Sequence, residues 1–335
     1  MTSIANHRSA NAALAQEDPE WAAFYAKHSA AVPVLEGTAA EMRARSAALK
    51  AKAKAAGTGV PVIEGVTVKD VQVPTTDGAE ITVRVYTPID GTGPRPGLLF
   101  MHGGGWTLGD LDGEDSACRS VCVGANVVVV SVDYRLAPEH PFPTGLNDSW
   151  NSFLWMREYA GELGINKDAL SIGGSSAGAN FTAVLAHRAR DHGIKLLGQL
   201  LRIPCVCHLD AYPPELNLYS MEDLKDAPLL SRRSVELFLQ YYAADPTNTD
   251  MSPLLNKNFA GLAPAYIQIA GADPLRDEGL AYADKLKHAG VTTKVDIYPG
   301  LPHAFGFFTN LSATVKYAAD LVDAMKSINS GTLHY

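Results

Sequence analysis

The chain has 335 residues, 47% of them hydrophobic and 19% charged, with a formal net charge of -8. That profile excludes a disordered or fibrous chain and leaves ample apolar material for a buried sheet. The acidic balance repels a polyanion, and no run of Lys or Arg stands out as a nucleic-acid patch, so none is expected as a partner.

Residues 1–14 are polar and Ala-rich without the apolar core of a leader, and the longest apolar run, around 127–130, is strand-sized. A cytoplasmic protein without a membrane span is expected. Helical periodicity follows, with Trp21, Phe24 and Tyr25 on one face and an Ala-rich stretch over 39–56. The basic residues between 43 and 54 read as a solvated helix face, and Gly57, Gly59 and Pro61 end the helix. Val66, Val68, Val71 and Val73, then Ile81, Val83 and Val85, alternate about a Thr76-Asp77-Gly78 turn, which predicts a hairpin.

Continuous apolar runs come next, at 97–101, 127–132, 170–173, 197–203 and 266–270. Stretches of helical length lie between them, at 145–163 and 178–192. Buried strands alternating with helices predict an α/β fold: a mostly parallel sheet covered on both faces. Residues 205–250, with Pro213-Pro214, many aromatics and a helical stretch near 234–243, interrupt the alternation and read as an insertion over the sheet. The expected division is therefore N-terminal helices at 1–60, core at 61–204, insertion at 205–250 and core at 251–335. Cys118 and Cys122 lie one helical turn apart, and Cys205 and Cys207 alternate along an extended segment. Neither pair has companions at metal-ligand spacing, so free buried thiols, no metal and no cofactor are expected.

Gly174-Ser175-Ser176-Ala177-Gly178 matches G-x-S-x-G between an apolar strand and a helix. A serine nucleophile must occupy a strained strand-to-helix turn there, and flanking glycines let the backbone make it. His102-Gly103-Gly104-Gly105-Trp106 follows the strand at 97–101, and such a glycine run bares the N–H groups that an oxyanion hole requires. Asp273 follows the strand at 266–270, and His303 follows a further strand at 293–298. The order Ser176, Asp273, His303, each past the carboxyl end of a strand, is that of an α/β-hydrolase. In that arrangement His303 takes the Ser176 proton, and Asp273 holds its tautomer. Asp277 and Glu278 fall on the next helix in structural or capping roles, His102 braces the glycine loop, and His140 has a packing role in a Pro-rich turn.

Together these residues resemble the hormone-sensitive-lipase-like esterases, which include arylacetamide-deacetylase-like enzymes. The resemblance is carried by His102-Gly103-Gly104-Gly105, by Asp133-Tyr134-Arg135-Leu136-Ala137-Pro138-Glu139 and by the elbow at Ser176. Asp273-Pro274-Leu275 with Asp277-Glu278-Gly279, and Pro302-His303-Ala304-Phe305, complete the five motifs, in the family's order from about residue 70 to 310. It implies the Gly103, Gly104 and Ala177 N–H groups as oxyanion donors, a helical cap built from the N-terminal helices and the insertion, and a homodimer. Two positions depart from the family: Ser175 stands where many members carry Asp, and Ala179 where a further Gly is common.

The activity so implied is serine carboxylic-ester hydrolysis of short- to medium-chain acyl esters. Trp106, Tyr212, Tyr219 and Phe238 are the aromatic candidates for pocket walls. Deacetylase, lactonase and thioesterase chemistry would use the same groups. A non-catalytic binding protein on this fold would be expected to have lost a member of the Ser176, Asp273, His303 set, and none is lost.

Overall fold

The hairpin expected after residue 66 forms as β1 (Val66–Pro74) and β2 (Glu80–Pro88), paired antiparallel with Val71 opposite Val83. Strand β2 buries its alternate residues Ile81, Val83 and Val85, whereas the edge strand β1 buries Val73 near its end and leaves Val68 in solvent. The computed structural model in which these elements are seen describes residues 11–29, 32–55, 62–91 and 93–334. Gly57, Gly59, Pro61 and the first expected boundary at residue 60 lie outside the described residues.

Six further strands complete one sheet: β3 (Arg95–Met101), β4 (Val128–Val132), β5 (Ile165–Ser175), β6 (Gly198–Arg202), β7 (Ala265–Ala270) and β8 (Thr293–Tyr298). The order is β1-β2-β4-β3-β5-β6-β7-β8, and every pairing beyond β2 and β4 is parallel. The central strands are buried on both faces, which is why they read as unbroken apolar runs. Along β3, Leu99 and Met101 face one layer while Leu98 and Phe100 face the other.

The helices, in chain order, are α1 (Pro19–His28), α2 (Ala39–Ala55), α3 (Asp115–Ala125), α4 (Thr144–Glu158), α5 (Ala177–Asp191), α6 (Ser220–Asp223), α7 (Arg232–Tyr242), α8 (Arg276–His288) and α9 (Ser312–Ser330). Helices α4, α5 and α8 cover one face of the sheet, and α3 and α9 cover the other. Cys118 and Cys122 point from α3 into that second layer as free thiols, and Cys205 and Cys207 are free and buried in the first. Burial pushes the Cys122 and Cys207 thiols up to about 12, so both remain protonated and unreactive.

Between β6 and β7 the chain leaves the sheet for α6, α7 and several single turns. Val206, Met221, Leu230, Val235, Phe238 and Tyr242 of this excursion join the same apolar cluster as α4 and α5. Helix α1 starts at Asp18, whose carboxylate caps the Glu20 and Trp21 N–H groups at 2.9 Å. Its expected face packs: Trp21 stacks on Phe24 and Tyr25 and meets Phe308, beside Leu301 and Phe305. Among the described residues, no helix is long and apolar enough to cross a membrane.

Candidate active site

Strand β5 ends at Ser175 and α5 begins at Ala177, so Ser176 is the single residue at the turn. Its φ of 53° and ψ of -113° put a non-glycine residue in a region side chains avoid, a strain that surrounding structure must hold. The turn is tight enough that a methyl group on Gly178 would lie 2.1 Å from the Met101 carbonyl oxygen, which explains the second motif glycine. Ser176 itself remains half-buried, accessible to a small molecule.

The structure brings the three expected side chains into one hydrogen-bonded series. The Ser176 Oγ lies 3.0 Å from His303 Nε2, and His303 Nδ1 lies 2.7 Å from Asp273 Oδ2. The other Asp273 oxygen accepts the Leu275 N–H at 2.8 Å, so both carboxylate oxygens are occupied and the group is buried. Asp273 and His303 stand on the loops after β7 and β8, and the Ala272 N–H reaches the Leu301 carbonyl at 2.9 Å, joining the two loops. The N-terminal segment props the second loop: Gly300 donates to the Leu14 carbonyl at 2.7 Å, and Asp18 donates back to the Gly300 carbonyl at 3.3 Å.

The glycine-rich loop lies against this turn. A methyl group on Gly103 would come within 3.1 Å of the Ser175 carbonyl oxygen and 3.5 Å of Ser176 Cβ. Gly104 has a φ of 125°, and a methyl group there would collide with the Leu108 carbonyl at 2.2 Å, so no other residue fits. The Ala177 N–H, first in its helix, has no intrahelical acceptor. The Gly103 N–H, by contrast, faces the buried Glu114 carboxylate.

His102 braces the loop as expected: its Nδ1 is 2.8 Å from the Gly103 carbonyl, and its ring stacks on Tyr134 at 4.1 Å. Burial pushes its pKa down to about 4, so it stays neutral. The Tyr134 hydroxyl donates to the His102 carbonyl at 2.8 Å, and Arg135 pairs with Asp148 at 2.7 Å and with Asp77 at 2.8 Å. The Asp133-to-Glu139 motif is therefore scaffolding for the glycine loop. Its Ala137 N–H meets the Trp106 carbonyl at 2.9 Å.

Two expectations need correction. The basic side of α2 is not simply solvated: Arg43 donates to the Thr107 and Ala137 carbonyls at 2.9 and 2.7 Å and pairs with Glu139 at 2.8 Å. His140 is exposed rather than buried in the turn.

Asp277 and Glu278 hold the excursion. One Asp277 oxygen accepts the Tyr219 and Ser220 N–H groups at 2.9 and 2.8 Å, and Glu278 accepts those of Val206 and Cys207 at 2.6 and 3.2 Å. Of the aromatic candidates, Phe238 lies against Gly105, where a methyl group would sit 2.3 Å from its ring. Trp106 stacks flat on Tyr242 at 4.5 Å, the Tyr212 hydroxyl donates to Glu278, and the Tyr219 hydroxyl donates to Asn217 at 3.0 Å. A cleft of about 370 Å³ beside Trp21, Tyr25, Ala272 and Pro302 borders the Asp273 and His303 loops. A second, of about 480 Å³, lies at the far end of the sheet by Pro94 and Ile165. Among the described residues no group of three His, Cys, Asp or Glu side chains is placed to hold a metal ion.

The profile of a family described as alpha/beta hydrolase fold matches residues 98–307, the span from the strand before the glycine loop to just past His303. The chain belongs to the α/β-hydrolases. Esterases stand among its relatives: the chain is 41% identical over 248 residues to carboxylesterase NlhH of Mycobacterium tuberculosis, covering 72% of this chain and 75% of the relative. Among solved structures, vibralactone cyclase superposes with a TM-score of 0.86 at 34% identity, covering 96% of this chain and 97% of that one. A bacterial heroin esterase gives 0.84 at 31% identity, over 93% and 98%. This α/β-hydrolase is thus an enzyme of the hormone-sensitive-lipase-like esterases.

Two of its residues near the turn escaped the sequence reading. Arg202 and Glu114 form a buried ion pair at 3.2 Å, and Arg202 also donates to Ser175 Oγ at 3.3 Å. The available signal was a lone Arg closing the apolar run Leu200-Leu201-Arg202-Ile203.

Proposed function

We propose that this esterase is a serine carboxylic-ester hydrolase in which Ser176 is the nucleophile, His303 the general base and acid, and Asp273 its orienting partner. The observation that carries this reading is the 3.0 Å approach of Ser176 Oγ to His303 Nε2, with Asp273 at 2.7 Å on the opposite ring nitrogen. His303 takes the hydroxyl proton as Oγ attacks the ester carbonyl carbon, and the carbonyl oxygen becomes an oxyanion. The Gly104 and Ala177 N–H groups receive that charge. Gly103, the third donor implied by the family resemblance, has its N–H turned to Glu114 and is read here as the anchor of the loop. Collapse breaks the C–O bond, with His303 giving its proton to the departing alcohol. Water, deprotonated by His303, then releases the acid from Ser176.

Short- to medium-chain acyl esters are the proposed substrates, with the α2 and α7 region acting as the cap. Phe238 supports this, because its ring packs on the glycine loop beside the reacting carbonyl's position and limits the room there. Lactone chemistry at the same serine is a second reading, favoured by the 34% identity to vibralactone cyclase.

The test is a panel of p-nitrophenyl esters of increasing acyl length, with lactones, amides and thioesters alongside, run on wild type and Ser176→Ala. Turnover of acetyl to hexanoyl esters, lost by about a millionfold in the variant, is expected. A fluorophosphonate should label Ser176. Labelling at Ser175, or activity surviving in Ser176→Ala, overturns the assignment.

A further inference from the structure

Arg202 closes β6 inside the protein, 8% exposed, and bonds to both residues of the nucleophile turn, Ser175 and Ser176. Its carbonyl accepts the Ser176 N–H at 2.8 Å. Its guanidinium donates to Ser175 Oγ at 3.3 Å, to Glu114 Oε2 at 3.2 Å and to Gln268 Oε1 at 3.2 Å, and lies 4.4 Å from the Tyr317 ring. Glu114, 6% exposed, stands at the start of α3, and its carboxylate faces the Gly103 N–H. One ion pair therefore holds the nucleophile turn from one side and the glycine loop from the other.

Buried ion pairs are a poor source of stability, because desolvating two charges offsets their attraction. What such a pair supplies is fixed geometry, since both groups must keep their partners or stand as unpaired buried charges. Here the fixed quantity is the separation between Ser176 and the loop N–H groups, which must both face a single carbonyl group. Ser175 makes the linkage possible. A carboxylate at that position would meet Glu114 as a second negative charge, whereas a hydroxyl accepts from Arg202 without adding charge.

Building on the proposed roles of Ser176 and the loop, we propose that Glu114 and Arg202 are positioning residues for the acyl-transfer step, a clamp that sets the register between nucleophile and oxyanion donors. Neither touches substrate. Their removal should therefore leave ester binding alone and slow chemistry, since small misplacements of reacting groups cost about a hundredfold.

The experiment measures kcat and KM for p-nitrophenyl acetate and butyrate in Glu114→Gln, Arg202→Met, Arg202→Lys, Ser175→Ala and the Glu114→Gln/Arg202→Met pair, with circular dichroism to select folded protein. Folded Glu114→Gln and Arg202→Met should lose about tenfold to a hundredfold in kcat with KM within about twofold. The double variant should be no slower than the worse single one, because both break the same linkage. Arg202→Lys should recover part of the Arg202→Met loss by restoring charge without the planar fork. Wild-type kcat in the folded single variants, or losses that multiply in the double variant, overturns the clamp. If the charge variants do not fold, Ser175→Ala decides: a kcat reduced about threefold or more at constant KM supports it, and an unchanged kcat overturns it. Ser176→Ala in the same assay separates the two levels. Turnover surviving there defeats the nucleophile assignment, whereas an inactive Ser176→Ala beside fully active clamp variants defeats only the clamp.

Discussion

Arg43 of α2 and Thr107 of the glycine-rich loop are joined by a 2.9 Å hydrogen bond from the guanidinium Nε to the loop carbonyl. The same side chain reaches Ala137 and Glu139, so one residue near the start of the chain ties α2 both to the loop and to the 133–139 segment that braces it. Arg43→Met should free α2 while leaving Ser176, His303 and Asp273 untouched. With a charge-assisted hydrogen bond contributing about 1.5–3 kcal/mol, KM for octanoyl esters should rise by about fivefold or more and KM for acetyl esters should barely move. A chain-length series on the variant checks this, and an unchanged octanoyl KM contradicts it.

The two aspartates on either side of Pro274-Leu275-Arg276 should fail in different ways. Asp273→Asn presents the wrong partner to His303 Nδ1 and should cost about 10⁴ in kcat with an unshifted melting temperature. Asp277 is paired with buried Arg276 at 2.9 Å and caps the Tyr219 and Ser220 N–H groups. Asp277→Asn should therefore cost about 3 kcal/mol or more of stability, with kcat largely kept in the folded fraction. Parallel melting curves and kinetics distinguish them; equal loss of kcat in both would show that the acid has been misassigned.

Trp21 is 2% exposed and packs with Leu301, Phe305 and Phe308 around the loop that carries His303. Trp21→Ala should cost about 3–5 kcal/mol in urea unfolding, as for other large buried aromatics. It should also lower kcat, because the His303 loop loses its support. A stability loss under about 1 kcal/mol would show that α1 is only loosely docked.

Glu278 makes stability depend on pH. Burial raises its pKa to about 8, against the hydrogen bonds from Tyr212, Val206 and Cys207, which favour the ionised form. An unfolded glutamate titrates near about 4.3, so at intermediate pH the native state holds a proton that the unfolded state has lost. Its contribution is complete below about pH 4 and declines as pH rises toward 8, by up to about 1.4 kcal/mol per pH unit. Glu278→Gln, which cannot ionise yet keeps an acceptor for the two N–H groups, should flatten that decline. Urea midpoints at intervals from pH 5 to 8 measure the difference, and parallel slopes in the two proteins would refute it.

The motifs made Ser176, Asp273 and His303 legible because each combines an unusual residue pattern with a strand end that periodicity locates. The central strands were legible for the same reason, as runs such as Val128-Val129-Val130 have no other economical burial. Arg202, Glu114 and Arg43 were not, since their meaning depends on partners 64 to 96 positions away in the chain. The basic side of α2 illustrates the difficulty: Arg43 and Lys50 look alike in sequence, but Arg43 meets carbonyls whereas Lys50 meets exposed Asp110. Helix α9 was legible and went unread; Leu321, Ala324, Met325 and Ile328 keep helical spacing and fill the second layer, while Tyr317 one turn earlier packs with Trp21, Leu301 and Phe305.

Within six residues the chain places three carboxylates with separate duties: Asp273 turns to His303, while Asp277 and Glu278 reach out to the β6–β7 excursion. Attachment of the excursion is thereby delegated to its neighbours on the first turn of α8, and the residue beside His303 is spared that task. Divergence can rewrite the interior of the excursion, and with it the shape offered to a substrate, as long as the N–H groups of Val206, Cys207, Tyr219 and Ser220 still find those two acids.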